Sequence, residues 1–253
     1  MPKISRDYIL IIIPIIIMII GAWVYLNSIY MKPMGYQEAF SLLAMPMSNT
    51  WSFNDFIVMT LMWIVMMFAM MMPSTFSFLY MFNKMRLNMK TVYDSKIELA
   101  ILASTYFLLW IVFSLIAVVI QYALHNSNLV NMMGIIKSNH IAASLIIFAG
   151  IYQFTNLKNA CLDKCRNPLS YIMGTKIDGM GSIVKIGVAN GMFCIGCCWV
   201  LMLLLFVNGT MNLLWVLVIT LAVLAEKVFP YGNIISKLIG VGLLTWGCLL
   251  FYF

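Results

Sequence analysis

The sequence predicts an all-α, polytopic bundle of about seven transmembrane helices, in one integral membrane domain that covers residues 1–253. Apolar residues make up 64% of the chain and charged residues only 9%, which is too little charge to cover the surface of a soluble domain. Apolar segments long enough to cross a hydrocarbon core of about 30 Å recur along the whole length. No stretch is left over for a second, soluble domain.

The predicted spans follow one another along the chain, with bounds uncertain by about three residues. They are Tyr8–Leu26, Phe53–Phe82, Ile97–Leu124, His140–Leu157, Ile183–Val207, Met211–Phe229 and Ile234–Phe253. The first has no small-residue cleavage site after it, so we expect a retained signal anchor. Pro73 lies inside the second span and lacks the N–H of the helical ladder, so we expect the helix to kink or its membrane portion to end there.

The distribution of Lys and Arg predicts the orientation of these spans. With the N-terminus in the cytoplasm, thirteen of these residues fall in inner segments, and only Lys32 and Lys137 fall in outer ones. The sequence therefore predicts a multi-pass protein of the cell membrane with its C-terminus outside. The net charge of +7 sits in short loops facing lipid headgroups, and we expect no nucleic-acid partner.

Three cysteines lie within five residues of the fifth span: Cys194, Cys197 and Cys198. A spacing of three and four places them on overlapping faces of a helix, near the middle of the span. Adjacent thiols can bind Cu(I) or Zn(II). The alternative is that each cysteine packs as a small apolar residue.

Methionines form a stripe at helical spacing in the second span, and we select Met62, Met66 and Met70 as candidate ligands. Thioethers are soft, neutral ligands that bind Cu(I) and Ag(I). Met62 and Met66 should lie near the depth of the cysteines. The chain has 23 methionines, however, and methionine also fills irregular gaps in a core.

A second pair of cysteines, Cys161 and Cys165, follows the fourth span beside Lys158, Lys164 and Arg166. Their spacing places both thiols on one helical face, where they can share a metal and where neighbouring cations favour thiolates. The alternative is an amphipathic segment that anchors at the membrane interface.

Other polar and small residues carry weaker predictions. His125 and His140 bracket an outer loop and could form a metal site beside Met132 and Met133. Glu226 and Lys227 end the sixth span, where an adjacent charge pair is typical of a stop signal or of a pairing within the bundle. Small residues permit close helix contact, and those at suitable positions are Gly150, Gly187, Gly191 and Gly196.

Several motifs together resemble the uncharacterised family of predicted metal-binding integral membrane proteins, a domain of unknown function. The matching segments are Ala69-Met70-Met71-Met72-Pro73-Ser74, Gly150-x-Tyr152-Gln153, Lys158-x-x-Cys161-x-x-x-Cys165-Arg166-x-Pro168, Gly196-Cys197-Cys198-Trp199, Gly209-x-Met211-Asn212 and Glu226-Lys227-x-x-Pro230. The resemblance runs from about Phe53 to the C-terminus. It implies several membrane spans and a metal site, and it implies no mechanism.

The leading hypothesis is a membrane protein that binds a soft metal ion, Cu(I), for transport, delivery or storage. A path for the ion would run from Met31, Met34, Met45 and Met47 in the outer loop, past Met62 and Met66, to the cysteines of the fifth span and on to Cys161 and Cys165. A second hypothesis is a non-catalytic subunit of a larger membrane complex, such as a copper-dependent oxidase or monooxygenase. A third is a membrane thiol oxidoreductase. The chain has no phosphate-binding loop and no His-Glu-x-x-His pair, and we predict no catalytic residues.

Overall fold

The computed structural model describes residues 20–21, 23–24, 51–87, 95–131, 134–167, 172, 174, 179–210, 212–229 and 231–252. Most of the predicted first span and all four methionines of the outer loop lie outside these residues. Helices α1 to α8 are, in chain order, Phe53–Leu87, Ser95–Asn126, Asn139–Tyr152, Asn156–Arg166, Met180–Leu203, Leu205–Asn208, Leu213–Val228 and Gly232–Tyr252. The described residues contain no strand beyond one isolated bridge between Val130 and Ile136, so the all-α prediction is confirmed.

Four helical segments of the described residues are long and apolar enough to cross a membrane. They are Phe53–Phe76, Lys96–Asn126, Met180–Asn208 and Gly232–Tyr252. The bent pair α3 and α4 makes a fifth if it is counted as one span. Helix α7 has 16 residues, fewer than the roughly 20 that a full crossing needs. A total of about seven spans and a cytoplasmic N-terminus stay predictions.

The predicted fourth span, His140–Leu157, is not one straight helix. Helix α3 ends at Tyr152, and α4 leaves it at an angle of 63°. Thr155 lies at the break in an extended conformation, and its hydroxyl accepts a hydrogen bond from the Lys158 N–H, which caps α4. This local cap competes with continuation of the helix, and the apolar pattern alone did not reveal it. The bend turns Cys161 and Cys165 back toward the bundle.

Helix α1 continues through Pro73 and extends to Leu87, so the helix does not end at the proline. Proline removes the N–H that would have bonded to the carbonyl of Ala69, four residues earlier. The indole Nε1 of Trp23 donates to that carbonyl at 3.3 Å. A residue of the predicted first span thus satisfies the backbone group that Pro73 leaves without its helical donor, as an apolar environment requires.

Small residues allow the helices to approach closely. Helix α2 packs against both α1 and α5, α3 packs along α8, and α4 packs against α5. At the contact between α2 and α5, a Cβ placed on Gly187 would lie 2.8 Å from Thr105 Oγ1, and one on Gly191 would lie 2.5 Å from Leu109 Cδ1. The predicted role of these glycines in close helix packing is therefore confirmed.

The main core of the bundle is rich in sulfur. Six methionines of α1 and the three cysteines of α5 belong to one cluster of buried side chains, together with Trp63, Tyr106 and Trp110 of α1 and α2. The methionines are Met59, Met62, Met66, Met67, Met70 and Met71. Thioethers and thiols are thus concentrated where four helices, α1, α2, α5 and α7, converge.

Candidate metal centre

The three cysteines of α5 point into the core, each with an exposed fraction of 1%. Two of the thiols hydrogen-bond to the backbone of the preceding turn: the distances to the Cys194 carbonyl oxygen are 3.1 Å from Cys197 Sγ and 2.9 Å from Cys198 Sγ. Helical spacing therefore places all three on a shared face, as predicted. A thiol is a weak donor, so these bonds hold the side chains only lightly.

Helix α4 adds two more cysteines from a second direction. Cys165 packs against the core that contains Cys194 and Cys197, close enough for its thiol to interact with theirs. Cys161 lies one turn earlier against α5, where a Cβ placed on Gly196 would come within 2.9 Å of its Sγ. The five cysteines named in the sequence analysis thus lie on two helices that pack against each other, and all five are free thiols.

The absence of a side chain at Gly196 allows this contact between α4 and α5. The Tyr152 hydroxyl, at the end of α3, donates to the Gly196 carbonyl at 2.5 Å. The Tyr152 ring also meets the Trp199 ring edge to face, with centroids 5.7 Å apart. Backbone and ring contacts thus fix the cysteine-bearing part of α5 against the α3–α4 bend.

Hydrogen-bond donors surround the sulfur of Cys194. Lys227 Nζ lies 2.9 Å from Cys194 Sγ, and the Tyr106 hydroxyl lies 3.0 Å from it. A sulfur beside an ammonium is in the electropositive environment that favours a thiolate. Cys194 is therefore the centre of the cluster.

Charged and polar side chains hold α4 in place. Lys158 and Glu226 form an ion pair of 2.8 Å between side chains with exposed fractions of 0% and 1%. Lys158 also donates to Gln153 Oε1, which accepts a second bond, 3.0 Å long, from Ser236 of α8. The pair links the helix that carries Cys161 and Cys165 to the end of α7.

Two further contacts tie the outer side of α4 to the α7–α8 junction. The Arg166 guanidinium donates to the Phe229 carbonyl at 2.7 Å, and Asn233 donates to Asp163 at 3.1 Å. The sequence suggested that Lys158 and Arg166 favour thiolates on their own helix. In the structure both side chains instead bind groups near the end of α7. A cation that contacts the cysteines comes from α7: Lys227, at Cys194.

The predicted thioether ligands are buried in the same core, with exposed fractions of 4% at Met62 and 1% at Met66 and Met70. Met71 lies near the polar groups of the cluster, with its Sδ 4.0 Å from Lys227 Nζ. Ser74 Oγ lies 3.4 Å from the same nitrogen. Met71 was not among the predicted ligands and the role of Lys227 was not predicted, although a lysine at the end of an apolar span was visible in the sequence. Tyr106 left no signal in its apolar segment.

The two histidines contact different aromatic rings: His125 lies 5.7 Å from the Trp51 ring, and His140 lies 5.2 Å from the Phe251 ring. Met132 and Met133 lie outside the described residues. Among the residues that the structure describes, no three His, Cys, Asp or Glu side chains are already placed as ligands around one point. The cysteine cluster is held by hydrogen bonds, and its thiols would have to turn to coordinate an ion together.

The fold and these cysteines define a class of protein. It is an all-helical bundle with helices able to cross a membrane and with thiols packed beside methionine thioethers in its core. Residues 60–250 match the family model of PpoB2, described as a copper chaperone. The chain belongs to the PpoB2 copper chaperone family. No curated protein and no solved structure matches the chain. The family connects the chain with copper, which agrees with the soft-metal prediction at that level.

Proposed function

We propose that this protein is a membrane copper chaperone that holds Cu(I) in the cysteine cluster and delivers it to an acceptor. The single observation that carries the proposal is the packing of Cys161 and Cys165 from α4 against the core that contains the three cysteines of α5. Thiols that converge from two helices can coordinate one ion from two sides, whereas thiols on one helix face can coordinate it from one side only. Family membership supports copper as the ion.

The chemistry of the donors favours Cu(I) over harder ions. Thiolate and thioether sulfur select soft ions, and Mg(II) and Ca(II) require oxygen ligands. A bare cation is unstable in an apolar core, so its charge must be neutralised by thiolates. Rotation about χ1 of Cys197 and Cys198 would exchange the weak bonds to the Cys194 carbonyl for bonds to copper. The five cysteines provide more thiols than the two to four that a Cu(I) ion needs, so the ion can change ligands stepwise.

The architecture favours delivery over permanent storage. Cys161 and Cys165 are only partly buried, while the cysteines of α5 are fully buried. Copper held at α5 would therefore reach an acceptor by way of α4. The buried methionines Met62, Met66 and Met70 would supply the preceding part of the route. In this proposal the bundle lies in the cell membrane, surrounded by lipid.

Metal analysis of matched variants tests the proposal. The full chain is purified in lipid nanodiscs, kept reduced without oxygen, and equilibrated with Cu(I) buffered by a competing chelator. Replacement of Cys194, Cys197 and Cys198 together by Ser should abolish bound copper, because Ser keeps the size and removes the soft ligand. Cys165→Ser alone should lower the affinity for Cu(I) about tenfold or more.

Cys248 provides the matched control, because it is a free cysteine on α8 with an exposed side chain. Cys248→Ser should bind as much copper as the wild type. Equal copper in the triple variant and the wild type would refute the proposal. The thiol oxidoreductase hypothesis would lead instead if the cluster bound no Cu(I) but formed a disulfide reversibly with a quinone or another oxidant. Stable co-purification with other membrane subunits would favour the complex-subunit hypothesis.

A further inference from the structure

The ammonium of Lys227 occupies a position that is built from soft ligands. Its Nζ lies 2.9 Å from Cys194 Sγ, 4.0 Å from Met71 Sδ and 3.4 Å from Ser74 Oγ. Lys227 is the last charged residue of α7, Cys194 belongs to α5, and Met71 and Ser74 belong to α1. Side chains of three helices therefore meet around one cation.

Two of these groups, the Cys194 sulfur and the Met71 thioether, are good ligands for Cu(I). A thioether is a weak hydrogen-bond acceptor for an ammonium, whereas thiolate and thioether are among the ligands that soft metals prefer. An ammonium and a metal ion cannot occupy the same few ångströms, because two positive charges repel strongly in an apolar core. Lys227 has a flexible four-carbon stem and is only half-buried, so its charged end can turn toward the membrane surface.

We propose that Met71 and Cys194 form a second position for Cu(I), at which the ion first enters the protein. The Lys227 ammonium occupies this position until the ion arrives. This inference rests on the proposed function. Copper displaces the ammonium, which swings away with its proton, and binds between the Met71 thioether and the Cys194 sulfur. A rotamer change of Met71, whose side chain has three rotatable bonds, closes the 4.0 Å gap.

Transfer into the cysteine cluster is a ligand exchange. The bond from copper to Met71 breaks as a bond to the sulfur of Cys165 or Cys198 forms. The incoming thiol gives up its proton to bulk water, and the bond to the Cys194 thiolate is kept throughout. Copper stays Cu(I), so no electron donor or acceptor is needed. Cys194 can make this exchange because it contacts Lys227, which occupies the second position before the ion arrives, and lies one helical turn from Cys198 in the core against which Cys165 packs.

The neighbouring methionine provides a matched control. Met71 and Met72 are adjacent on α1, and each has an exposed fraction of 1%. Met71 belongs to the core that contains the cysteines, whereas Met72 packs in a separate cluster with Phe82, Leu102 and Ile186. Replacement of either by Leu removes one thioether and preserves the packing volume. Only Met71→Leu removes a proposed ligand.

The experiment follows the rate of loading with Ag(I), a soft ion that does not change its oxidation state. The full chain in nanodiscs is mixed with buffered Ag(I), and thiolate-to-metal absorption is recorded by stopped flow. Met71→Leu should load about tenfold more slowly than the wild type and reach the same final silver content, because the cysteine cluster is intact. Met72→Leu should load at the wild-type rate.

A second measurement tests the displacement of Lys227. The rate at which an amine-reactive reagent labels Lys227, determined by mass spectrometry relative to the exposed Lys237, should rise when Ag(I) is bound. Equal loading rates of Met71→Leu and Met72→Leu, or an unchanged rate of Lys227 labelling, would overturn this inference and leave the proposed function standing. A wild-type protein that takes up no Ag(I) would overturn both.

Discussion

Breaking the buried ion pair between Lys158 and Glu226 should destabilise the bundle strongly. The two side chains have exposed fractions of 0% and 1% and lie 2.8 Å apart. Lys158→Met would leave the Glu226 carboxylate buried without its cation, and removing one partner of such a pair lowers the free energy of unfolding by about 3–5 kcal/mol. Gln153 would keep its bond from Ser236, so the loss would come mainly from the unpaired charge.

The double variant Lys158→Met/Glu226→Leu separates the charge effect from packing. Two apolar side chains of similar volume remove the unpaired charge, and such replacements are often neutral or stabilising. The double variant should therefore recover most of the loss. Unfolding is measured by titration with denaturing detergent in mixed micelles, followed by circular dichroism. The exposed Lys237→Met serves as control and should change stability by less than about 0.5 kcal/mol. A loss below about 1 kcal/mol for Lys158→Met, or a double variant no more stable than the single one, would refute this reasoning.

Three further predictions concern single contacts. Trp23→Phe should lower stability by about 1 kcal/mol in the same detergent titration, because the Ala69 carbonyl loses its donor; an unchanged midpoint would contradict the role given to Trp23. Gly196→Ala should lower stability by about 1–3 kcal/mol and reduce bound copper, because the new Cβ would press on Cys161 Sγ. Full copper binding by that variant would contradict this prediction, because it would show that α4 can shift without loss of the copper site. Tyr106→Phe should keep the copper content and lower the affinity for Cu(I) about tenfold, as measured by chelator competition. The variant loses the hydroxyl beside Cys194 but keeps every copper ligand.

The all-helical class and the placement of several residues could be predicted from the sequence because they depend on local patterns. Apolar runs identified the long helices, and spacing of three and four correctly placed Cys194, Cys197 and Cys198 on one face. The small size of Gly187 and Gly191 correctly indicated close helix contact. Each of these features is determined within one turn or one helix.

The remaining features depend on contacts between distant segments, which composition and periodicity do not record. The approach of Cys165 to Cys194 requires the bend at Thr155, where a local cap competes with an otherwise helical pattern. Lys227 was visible as a charge at the end of a span, but its contact with Cys194 depends on how α7 packs against α5. Tyr106 lies in an apolar segment and gave no signal before the helices were assembled.

X-ray absorption at the copper edge of the Cu(I)-loaded full chain tests the central claim most directly, because it reports the ligands of the bound ion. The wild type should show only sulfur neighbours, and Cys165→Ser should show a lower sulfur coordination number or an oxygen in place of one sulfur. Cys248→Ser should give the wild-type spectrum. Nitrogen or oxygen ligands in the wild type, or a spectrum unchanged by Cys165→Ser, would contradict a copper site formed by thiols from two helices.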